Sequence, residues 1–338
     1  MRQMLRQVAW HAANSPPFGV ALSMLDRVTV CKRNVLAVVT YHRVDDASRT
    51  PYLYPGLISA TPQQFIEQLD LLMEMGNIVS LQQVLEARRG QTVLPARSIL
   101  ITFDDACQDF ADYAWPALRE RQLPVTVFVP TAYPNHPQLR FWWDRLHVAV
   151  WHGRLTHLDT PCGTFQLDSR DGRERAMRTL REYVKRLEHE SAMKLIEDIC
   201  IQQKVSPPPP SVLGWDQLRT LAREGVTLAP HTQTHPLLTQ VSIETARQEV
   251  TGSREHLKRE IGDALPVLAY PGGAHDQSLI EMLRQEGFEL AFSVRRGVND
   301  LSTADPYSLK RINVGGRTTL SILRAQLIAG WWKHRGGE

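Results

Sequence analysis

The sequence contains little cysteine. Only four cysteines occur among 338 residues, at irregular spacings and with no CxxC pair, namely Cys31, Cys107, Cys162 and Cys200. Small secreted domains that depend on disulfides carry denser and more regular cysteine patterns. The sequence therefore does not indicate a disulfide framework, and we expect four free thiols in a reducing compartment.

The sequence also lacks a strong charge bias and long apolar runs. The net charge is only +3, and no dense run of lysine and arginine with interleaved aromatics argues for a nucleic-acid surface. No stretch reaches the roughly 18 apolar residues of a membrane span, and residues 1–34 lack the uninterrupted apolar segment of a secretory signal. We expect a cytoplasmic protein that binds no nucleic acid.

The two ends of the chain have a second interpretation. We expect residues 1–34 to form a helical segment and residues 317–338 a C-terminal helix, both packed on the main domain. Trp331 and Trp332 precede a basic stretch, and this combination also occurs where helices contact a lipid interface. Peripheral membrane contact through the termini is therefore the alternative.

Apolar strand-like runs alternate with helical patterns along residues 35–316. "VLAVVTY" at 35–41 and "SILITF" at 98–103 are typical of buried strands. A helix over 61–76 is marked by Thr61 at its N-cap and by a glycine at its end. Repeated strand–helix units predict an α/β protein with a parallel sheet, and about seven or eight of them favour a distorted (β/α) barrel over an open sheet.

One region interrupts this alternation. Residues 139–212 contain a Trp-rich segment, a hairpin-like "THLDTPCGTFQLD", a charged helical pattern and four consecutive prolines at 207–210. Polyproline is stiff and extended, which suits a return path to the main domain. We interpret this region as a helical and hairpin insertion in the barrel.

Two histidines stand four residues apart in "LAPHTQTHPLLT". In a strand, side chains at this spacing lie roughly 13 Å apart and cannot share one ion, whereas in a turn they can face the same cleft. Pro236 disfavours a helix that continues through His235. We therefore expect a short turn that aims His231 and His235 into a cleft, although a pair of hydrogen-bonded surface histidines would give the same sequence.

Two adjacent aspartates, Asp104 and Asp105, follow the strand at 98–103, at the end where parallel α/β folds place their active sites. Adjacent like charges need a compensating cation or solvent. A helix N-cap would account for one of the carboxylates but not for both. A second pair, Asp45 and Asp46, is interpreted as a loop.

Together the two segments predict a catalytic metal site. One carboxylate and two imidazoles leave a coordination position open for water, which is the pattern of a catalytic zinc. The second carboxylate can then accept a proton from that water. A glycosidase that uses Asp104 and a partner carboxylate is a weaker alternative, because it leaves the histidines unexplained.

The motifs "TFDD" at 102–105 and "HTQTH" at 231–235 resemble the first two motifs of the polysaccharide deacetylase family, carbohydrate esterase family four. "VVTYHRV", "PVTVFVPT", "GWDQLRTLAREGVTLAPHT" and "LAYPGG" add to the resemblance, which covers roughly residues 35–315. It implies a distorted (β/α) barrel that hydrolyses N-acetyl groups on amino sugars with Zn²⁺ or another divalent transition metal.

The resemblance also implies roles for individual residues. Asp105, His231 and His235 match the metal ligands, and Asp104 matches the general base. Thr102 and Thr232 match positions that support the aspartates and the histidine turn, while Pro271 matches a groove-wall motif.

The chain departs from the family pattern at three points. Ala106 stands where glycine is usual, and the arginine of the third motif is not visible. Arg311 could replace that arginine and orient Asp104. The late histidine that supplies the general acid is absent, which leaves His42, as in circularly permuted members, or His275.

The implied reaction acts on an N-acetylated carbohydrate. A backbone N–H near Thr131 could stabilise the oxyanion, and Trp142, Trp143 and Trp151 could line a sugar groove or form the core of the insertion. The alternatives are a deacetylase or deformylase of a lipid-linked sugar at a membrane surface, and an inactive carbohydrate-binding protein.

Overall fold

The computed structural model of the chain describes residues 31–334. The strands are β1 (Val35–Tyr41), β2 (Arg43–Val44), β3 (Ile58–Ala60), β4 (Asn77–Ile78), β5 (Ser98–Phe103), β6 (Thr126–Val129), β7 (His157–Thr160), β8 (Gly163–Gln166), β9 (Thr227–Pro230), β10 (Val267–Ala269), β11 (Leu290–Arg296), β12 (Asn299–Asp300) and β13 (Leu309–Asn313). The α-helices are α1 (Pro62–Met75), α2 (Leu81–Arg88), α3 (Trp115–Glu120), α4 (Trp142–His152), α5 (Arg170–Val184), α6 (His189–Gln202), α7 (Trp215–Arg223), α8 (Ile243–Ile261), α9 (Gln277–Gln285) and α10 (Leu320–Lys333). The predicted N-terminal helical segment lies outside the described residues, apart from its last few positions.

Seven parallel strands form the central sheet, in the order β10-β11-β13-β1-β5-β6-β9. The short strand β4 pairs in parallel with the start of β5, and β12 pairs antiparallel with the start of β1. The sheet curls until its two edge strands, β9 and β10, face each other. The predicted distorted (β/α) barrel is confirmed, in a nearly closed form.

Alternation along the strands divides the apolar side chains between two cores. In β1, Leu36 and Val38 belong to an inner cluster, whereas Val35, Ala37 and Val39 belong to an outer one. Successive strand residues point to opposite faces of a sheet, so both faces of this buried strand must be apolar. This explains why the strands are continuous apolar runs in the sequence.

The helices cover the outer face. In α10, Leu323, Leu327 and Trp331 are fully buried in the outer cluster, together with Phe65 and Leu72 of α1. α1 begins where the sequence predicts, since Thr61 accepts a hydrogen bond from the backbone of Gln64 in a capping box. Among residues 31–334, no helix has the length and apolar character needed to cross a bilayer.

The region between β6 and α7 has a core of its own. The β7–β8 hairpin and helices α4, α5 and α6 bury a cluster that includes Leu146, Leu180 and Ile196. This segment corresponds to the predicted helical and hairpin insertion, and it stands against one side of the barrel. Its position matters because α4 and α5 contribute side chains to the cleft described below.

The inner cluster gives a stability prediction. Leu100 of β5 is fully buried inside the barrel, so Leu100→Ala removes buried methyl groups and leaves a cavity. We expect a loss of about 2–5 kcal/mol in the free energy of unfolding, measured by urea denaturation. Ile201→Ala is the control, because that side chain is 64% exposed and its loss should cost at most about 0.5 kcal/mol. Equal effects would contradict the assignment of Leu100 to a packed barrel interior.

Candidate metal and active site

The predicted polar residues converge at the carboxyl ends of the parallel strands. His42 follows β1, Asp104 and Asp105 follow β5, and His231 follows β9. They line a cleft of about 720 Å³ at this end of the barrel. Parallel strands bring their carboxyl ends to one edge, which is why residues far apart in sequence meet here.

Asp105, His231 and His235 form a compact set of potential metal ligands. Oδ1 of Asp105 lies 3.5 Å from Nε2 of His231 and 3.3 Å from Nε2 of His235. All three side chains are buried, and Oδ1 of Asp105 has no hydrogen-bond partner. One atom from each lies within 4.8 Å of the others. A buried, unpartnered carboxylate oxygen that faces two imidazole nitrogens fits a divalent cation.

The fold fixes the orientation of His231. Its Nδ1 lies 2.7 Å from the carbonyl oxygen of Ala269 at the end of β10, so Nε2 faces Asp105. A hydrogen bond of this kind sets the tautomer of a metal-binding histidine. Because His231 follows β9, the contact also links the two edge strands of the barrel.

The histidine turn is held from outside by Glu249 of α8. One carboxylate oxygen of Glu249 accepts hydrogen bonds from the backbone N–H groups of Gln233 and Thr234, both at 2.8 Å. Thr232 and His235 have positive φ angles of 65° and 62°. Non-glycine residues rarely adopt this conformation, so the turn needs such external support. The predicted short turn is present, and both imidazoles face the cleft.

Asp104 makes a different contact from its neighbour. Both of its carboxylate oxygens accept hydrogen bonds from Arg311 of β13, at 2.8 and 2.9 Å. Arg311 is fully buried and also donates through Nε to the carbonyl oxygen of Ser293. Such a bidentate pair fixes both the position and the charge of the carboxylate. The structure thus brings Arg311 to Asp104, as its predicted orienting role requires, and neither aspartate caps a helix.

The two aspartates remain ionised in spite of their burial. Burial alone would raise the pKa of Asp104, but the charge and hydrogen bonds of Arg311, together with the nearby His231 and His42, shift it downward overall. Burial also opposes ionisation of Asp105, yet the two facing imidazoles hold its pKa well below the usual range. Each carboxylate therefore has its own compensating partner, as adjacent like charges require.

The structure separates the two predicted general acids. His42 lines the cleft, and its Nε2 lies 3.8 Å from Oδ2 of Asp104. His275 does not line the cleft. Its ring nitrogens lie 3.0 Å from the carbonyl oxygen of Gly273 and 2.9 Å from the hydroxyl of Ser308, and the ring stacks on Tyr270. His42 has the geometry of a reacting group, whereas His275 has the geometry of a structural one.

Comparison with protein families places residues 92–291 in the family described as polysaccharide deacetylase. The matched region is more than half of the chain and includes both predicted motifs. The chain belongs to the polysaccharide deacetylase family. Members of this family are generally metal-dependent, in agreement with the donor set formed by Asp105, His231 and His235.

Similar proteins support the same family. The poly-beta-1,6-N-acetyl-D-glucosamine N-deacetylase of Escherichia coli K12 is 31% identical over 126 residues, which are 35% of this chain and 18% of that protein. The match thus covers only about a fifth of the Escherichia coli protein. The Streptococcus pyogenes deacetylase PplD, solved with acetate, superposes with a TM-score of 0.59 at 18% sequence identity. The match covers 88% of this chain and 99% of the PplD chain. IcaB from Ammonifex degensii has a TM-score of 0.58 at 20% sequence identity, and the match covers 89% of this chain and 100% of the IcaB chain. These structures share the fold.

Ala106, the residue after the two aspartates, has a strained backbone and a buried side chain. Ala106 occupies the position where the family usually has glycine, and its φ angle is +49° while that of Asp105 is +74°. Glycine adopts positive φ at little cost, whereas alanine is strained there. The methyl group of Ala106 is fully buried in the outer core. Its packing there offsets part of that strain.

The other predicted positions have mixed outcomes. Trp142 and Trp143 line the cleft, and Trp143 also packs against His235 with ring centres 5.2 Å apart, whereas Trp151 lines an adjoining groove. Thr232 supports the histidine turn, since its hydroxyl accepts a hydrogen bond from the backbone of His235. The oxyanion hypothesis for Thr131 is wrong, because that N–H donates to the carbonyl oxygen of Thr232. It cannot also face a substrate.

Sequence reasoning missed a buried ion network beside His42. Arg43 pairs with Asp45 at 2.7 Å and with Asp109 at 2.8 Å, and Asp109 also accepts from the backbone N–H of Val44. Asp45 is thus a buried structural partner and not simply part of a loop. Burial raises the pKa of Asp109 to about 6 in spite of Arg43. The sequence signal for this network was Arg43 followed closely by Asp45 and Asp46, but the second partner, Asp109, lies 66 residues further along the chain.

The donor set gives a metal-binding prediction. We expect the purified protein to hold about one divalent ion per chain by elemental analysis. Asp105→Ala and His231→Ala should each abolish stoichiometric binding, while His275→Ala should retain it. Although burial lowers it, contact with Asp105 raises the pKa of His231 overall, so protons should displace the ion as the pH falls. Full metal content in both ligand variants would refute the assigned site.

The buried ion pair gives a stability prediction. In metal-free protein, Arg311→Gln should cost about 3–5 kcal/mol at pH 7, because it leaves Asp104 charged and buried without a partner. Asp104→Asn combined with Arg311→Gln should recover part of this loss. Arg175→Gln, at an exposed position of α5, is the control and should change the free energy of unfolding by at most about 0.5 kcal/mol.

The same variant has a defined pH dependence. The lowered pKa of Asp104 means that its carboxylate stabilises the native fold above its unfolded-state pKa, and this contribution is lost as the pH falls. Without Arg311, burial raises the pKa, so the carboxylate increasingly destabilises the fold as the pH rises. The difference between wild type and Arg311→Gln, from urea unfolding, should therefore be larger at pH 7 than near pH 4. A difference that does not vary with pH would contradict the charge argument.

Proposed function

We propose that this protein hydrolyses the N-acetyl group of an amino sugar in a polysaccharide or glycoconjugate and releases acetate. One observation carries the proposal: an ionised carboxylate, Asp104, lies directly beside the donor set of Asp105, His231 and His235 in an open cleft. Family membership and the named activity of the Escherichia coli relative support it.

Zinc is the ion that we propose for the site. Two imidazoles and one carboxylate are donors that Zn²⁺ accepts, and a catalytic zinc keeps a further position open. When bound, such an ion supplies Lewis-acid polarisation of a carbonyl and acidifies a water molecule. Burial lowers the pKa of His235, which favours the neutral imidazole that metal binding requires.

Asp104 is the proposed general base. Because Arg311 keeps its pKa low, Asp104 is unprotonated at neutral pH and can accept a proton from the attacking water. The bidentate contact also prevents the carboxylate from rotating away from the cleft. Arg311 is thus a positioning residue, since it acts on the reaction only through Asp104.

His42 is the proposed general acid. Its imidazole lines the cleft and stays partly accessible, with the side chain 25% exposed. As the acyl carbon–nitrogen bond breaks, the departing amine must gain a proton, and His42 can donate it. The acyl group leaves as acetate, with the oxygen of the attacking water. Trp142 and Trp143 would lie against the sugar ring, since aromatic faces stack on its apolar side.

Two alternatives differ in measurable ways. An inactive carbohydrate-binding protein would release no acetate, and a lipid-linked sugar as substrate would require turnover at a vesicle surface. The expected cytoplasmic location and the peripheral membrane contact of the termini stay predictions. Co-sedimentation with vesicles, with and without residues 317–338, tests the membrane contact.

Acetate release from a panel of N-acetylated oligosaccharides tests the proposed reaction. Asp104→Asn should lower kcat by about 10²–10⁴-fold, because the general base is lost while Asp105, His231 and His235 still bind the metal. Asp198→Asn, at an exposed position of α6, removes the same charge and should leave kcat unchanged. The proposal fails if metal-loaded wild type releases no acetate from any member of the panel, or if Asp104→Asn retains full activity.

A further inference from the structure

The active-site cleft carries positive charge that no acidic residue balances. Its lining includes four cationic side chains and two carboxylates, namely Arg181, Lys185, Arg296 and Arg317 with Asp104 and Asp105. Both carboxylates are already engaged, one with Arg311 and the other with the metal ligand set. Within residues 31–334, none of the four cations has a carboxylate within ion-pair distance. The excess charge therefore faces the cleft.

Arg181 has well-defined contacts of its own. Its guanidinium lies over the ring of Tyr54, 4.5 Å from the ring centre, and donates a hydrogen bond to the Tyr54 hydroxyl. Its Nε is buried and has no hydrogen-bond partner. A guanidinium that is held in place, but whose donors are not all used, is prepared for an anionic acceptor.

Lys185 is the C-cap residue of α5, one helical turn beyond Arg181. Side chains four residues apart on a helix are neighbours, and like charges at this spacing destabilise the helix. Two cations that repel each other at the edge of the cleft do not stabilise the fold, and this indicates a role in ligand binding.

The cationic surface continues past the active-site cleft. An adjoining groove of about 770 Å³ shares Tyr54, Arg181 and Arg317 with it. Three further arginines line this groove, namely Arg170, Arg173 and Arg178. Arg170 pairs with Glu174, and Arg173 donates to backbone carbonyl oxygens. Among residues 31–334, Arg178 has no such partner, so this groove also carries an unbalanced cation.

We propose that the saccharide chain bound here is acidic, with carboxylate-bearing sugars on one side of the N-acetylated sugar in contact with Arg181, Lys185 and Arg317. The identity of the N-acetylated sugar as the reacting group rests on the proposed function. A single phosphate would need one compact cluster of donors, whereas Arg178, Arg181 and Lys185 are spread over about 10 Å along the axis of α5. Carboxylates repeated along a polymer match that spacing, and guanidinium groups bind carboxylates through two parallel hydrogen bonds.

A matched pair of ligands tests this inference. Hexasaccharides of alternating glucuronic acid and N-acetylglucosamine, in β-1,3 and β-1,4 linkages, are compared with the same compounds after reduction of their carboxyl groups to alcohols. Binding to metal-free protein is measured by calorimetry, and acetate release is measured with the metal-loaded enzyme. N-acetylglucosamine 1-phosphate and UDP-N-acetylglucosamine form a separate arm for a single phosphate or diphosphate group.

We expect at least one acidic hexasaccharide to bind about tenfold or more tightly than its reduced form. Lys185→Gln and Arg181→Gln should each weaken this binding by about tenfold and raise KM with little change in kcat. Arg175→Gln, which removes the same charge from α5 at a position that lines neither groove, should bind as wild type does. Because Lys185 is exposed, its variant keeps the test valid even if Arg181→Gln proves unstable.

Equal binding of acidic and reduced hexasaccharides would overturn the inference, and so would tight binding of the phosphorylated sugars alone. Selective binding that depends on Lys185, without acetate release from any substrate, would support the acidic ligand and refute the proposed reaction. Equal acetate release from the acidic and the reduced hexasaccharides, unaltered by Lys185→Gln, would support the reaction and refute the acidic ligand. The two hypotheses can therefore fail separately.

Discussion

The buried pair of Asp104 and Arg311 is the interaction on which the site depends. The chain places two carboxylates side by side at the end of one strand, and neither could remain ionised there without a cation of its own. Arg311 supplies that cation for Asp104 from β13, a strand more than 200 residues further along the chain. Asp105 is then free to face His231 and His235. The proposed division of the acidic pair into a base and a metal ligand thus follows from the position of Arg311.

Backbone strain is the second constraint. Asp105, Ala106, Thr232 and His235 all have positive φ angles, and none of them is glycine. Each such conformation costs on the order of 1–3 kcal/mol, which the surrounding structure must outweigh. Glu249 holds the histidine turn through three hydrogen bonds, and the buried methyl of Ala106 packs in the core. Four strained residues thus lie in the two segments that supply the potential metal ligands.

The barrel and the insertion make different contributions to the same cleft. Strand ends of the barrel provide Asp104, the potential metal ligands and His42. The insertion provides Trp142 and Trp143 from α4, Arg181 from α5 and Lys185 from the C-cap of α5. Chemistry therefore resides on a rigid parallel sheet, while the surfaces that would select a saccharide reside on an added segment with its own core.

The sequence by itself was sufficient to predict the barrel and to locate the two segments of the candidate metal site. Apolar runs and helix caps report on local structure. "TFDD" lies at the end of β5 and "HTQTH" directly follows β9, so short-range patterns were sufficient to find both. Only the tertiary structure decided between His42 and His275, linked Arg43 to Asp109, and excluded the Thr131 N–H from the oxyanion site. It also collected Arg181, Lys185 and Arg317 along one cleft. These outcomes depend on pairings between residues tens to hundreds of positions apart, and periodicity along a chain carries no information about which distant groups will meet.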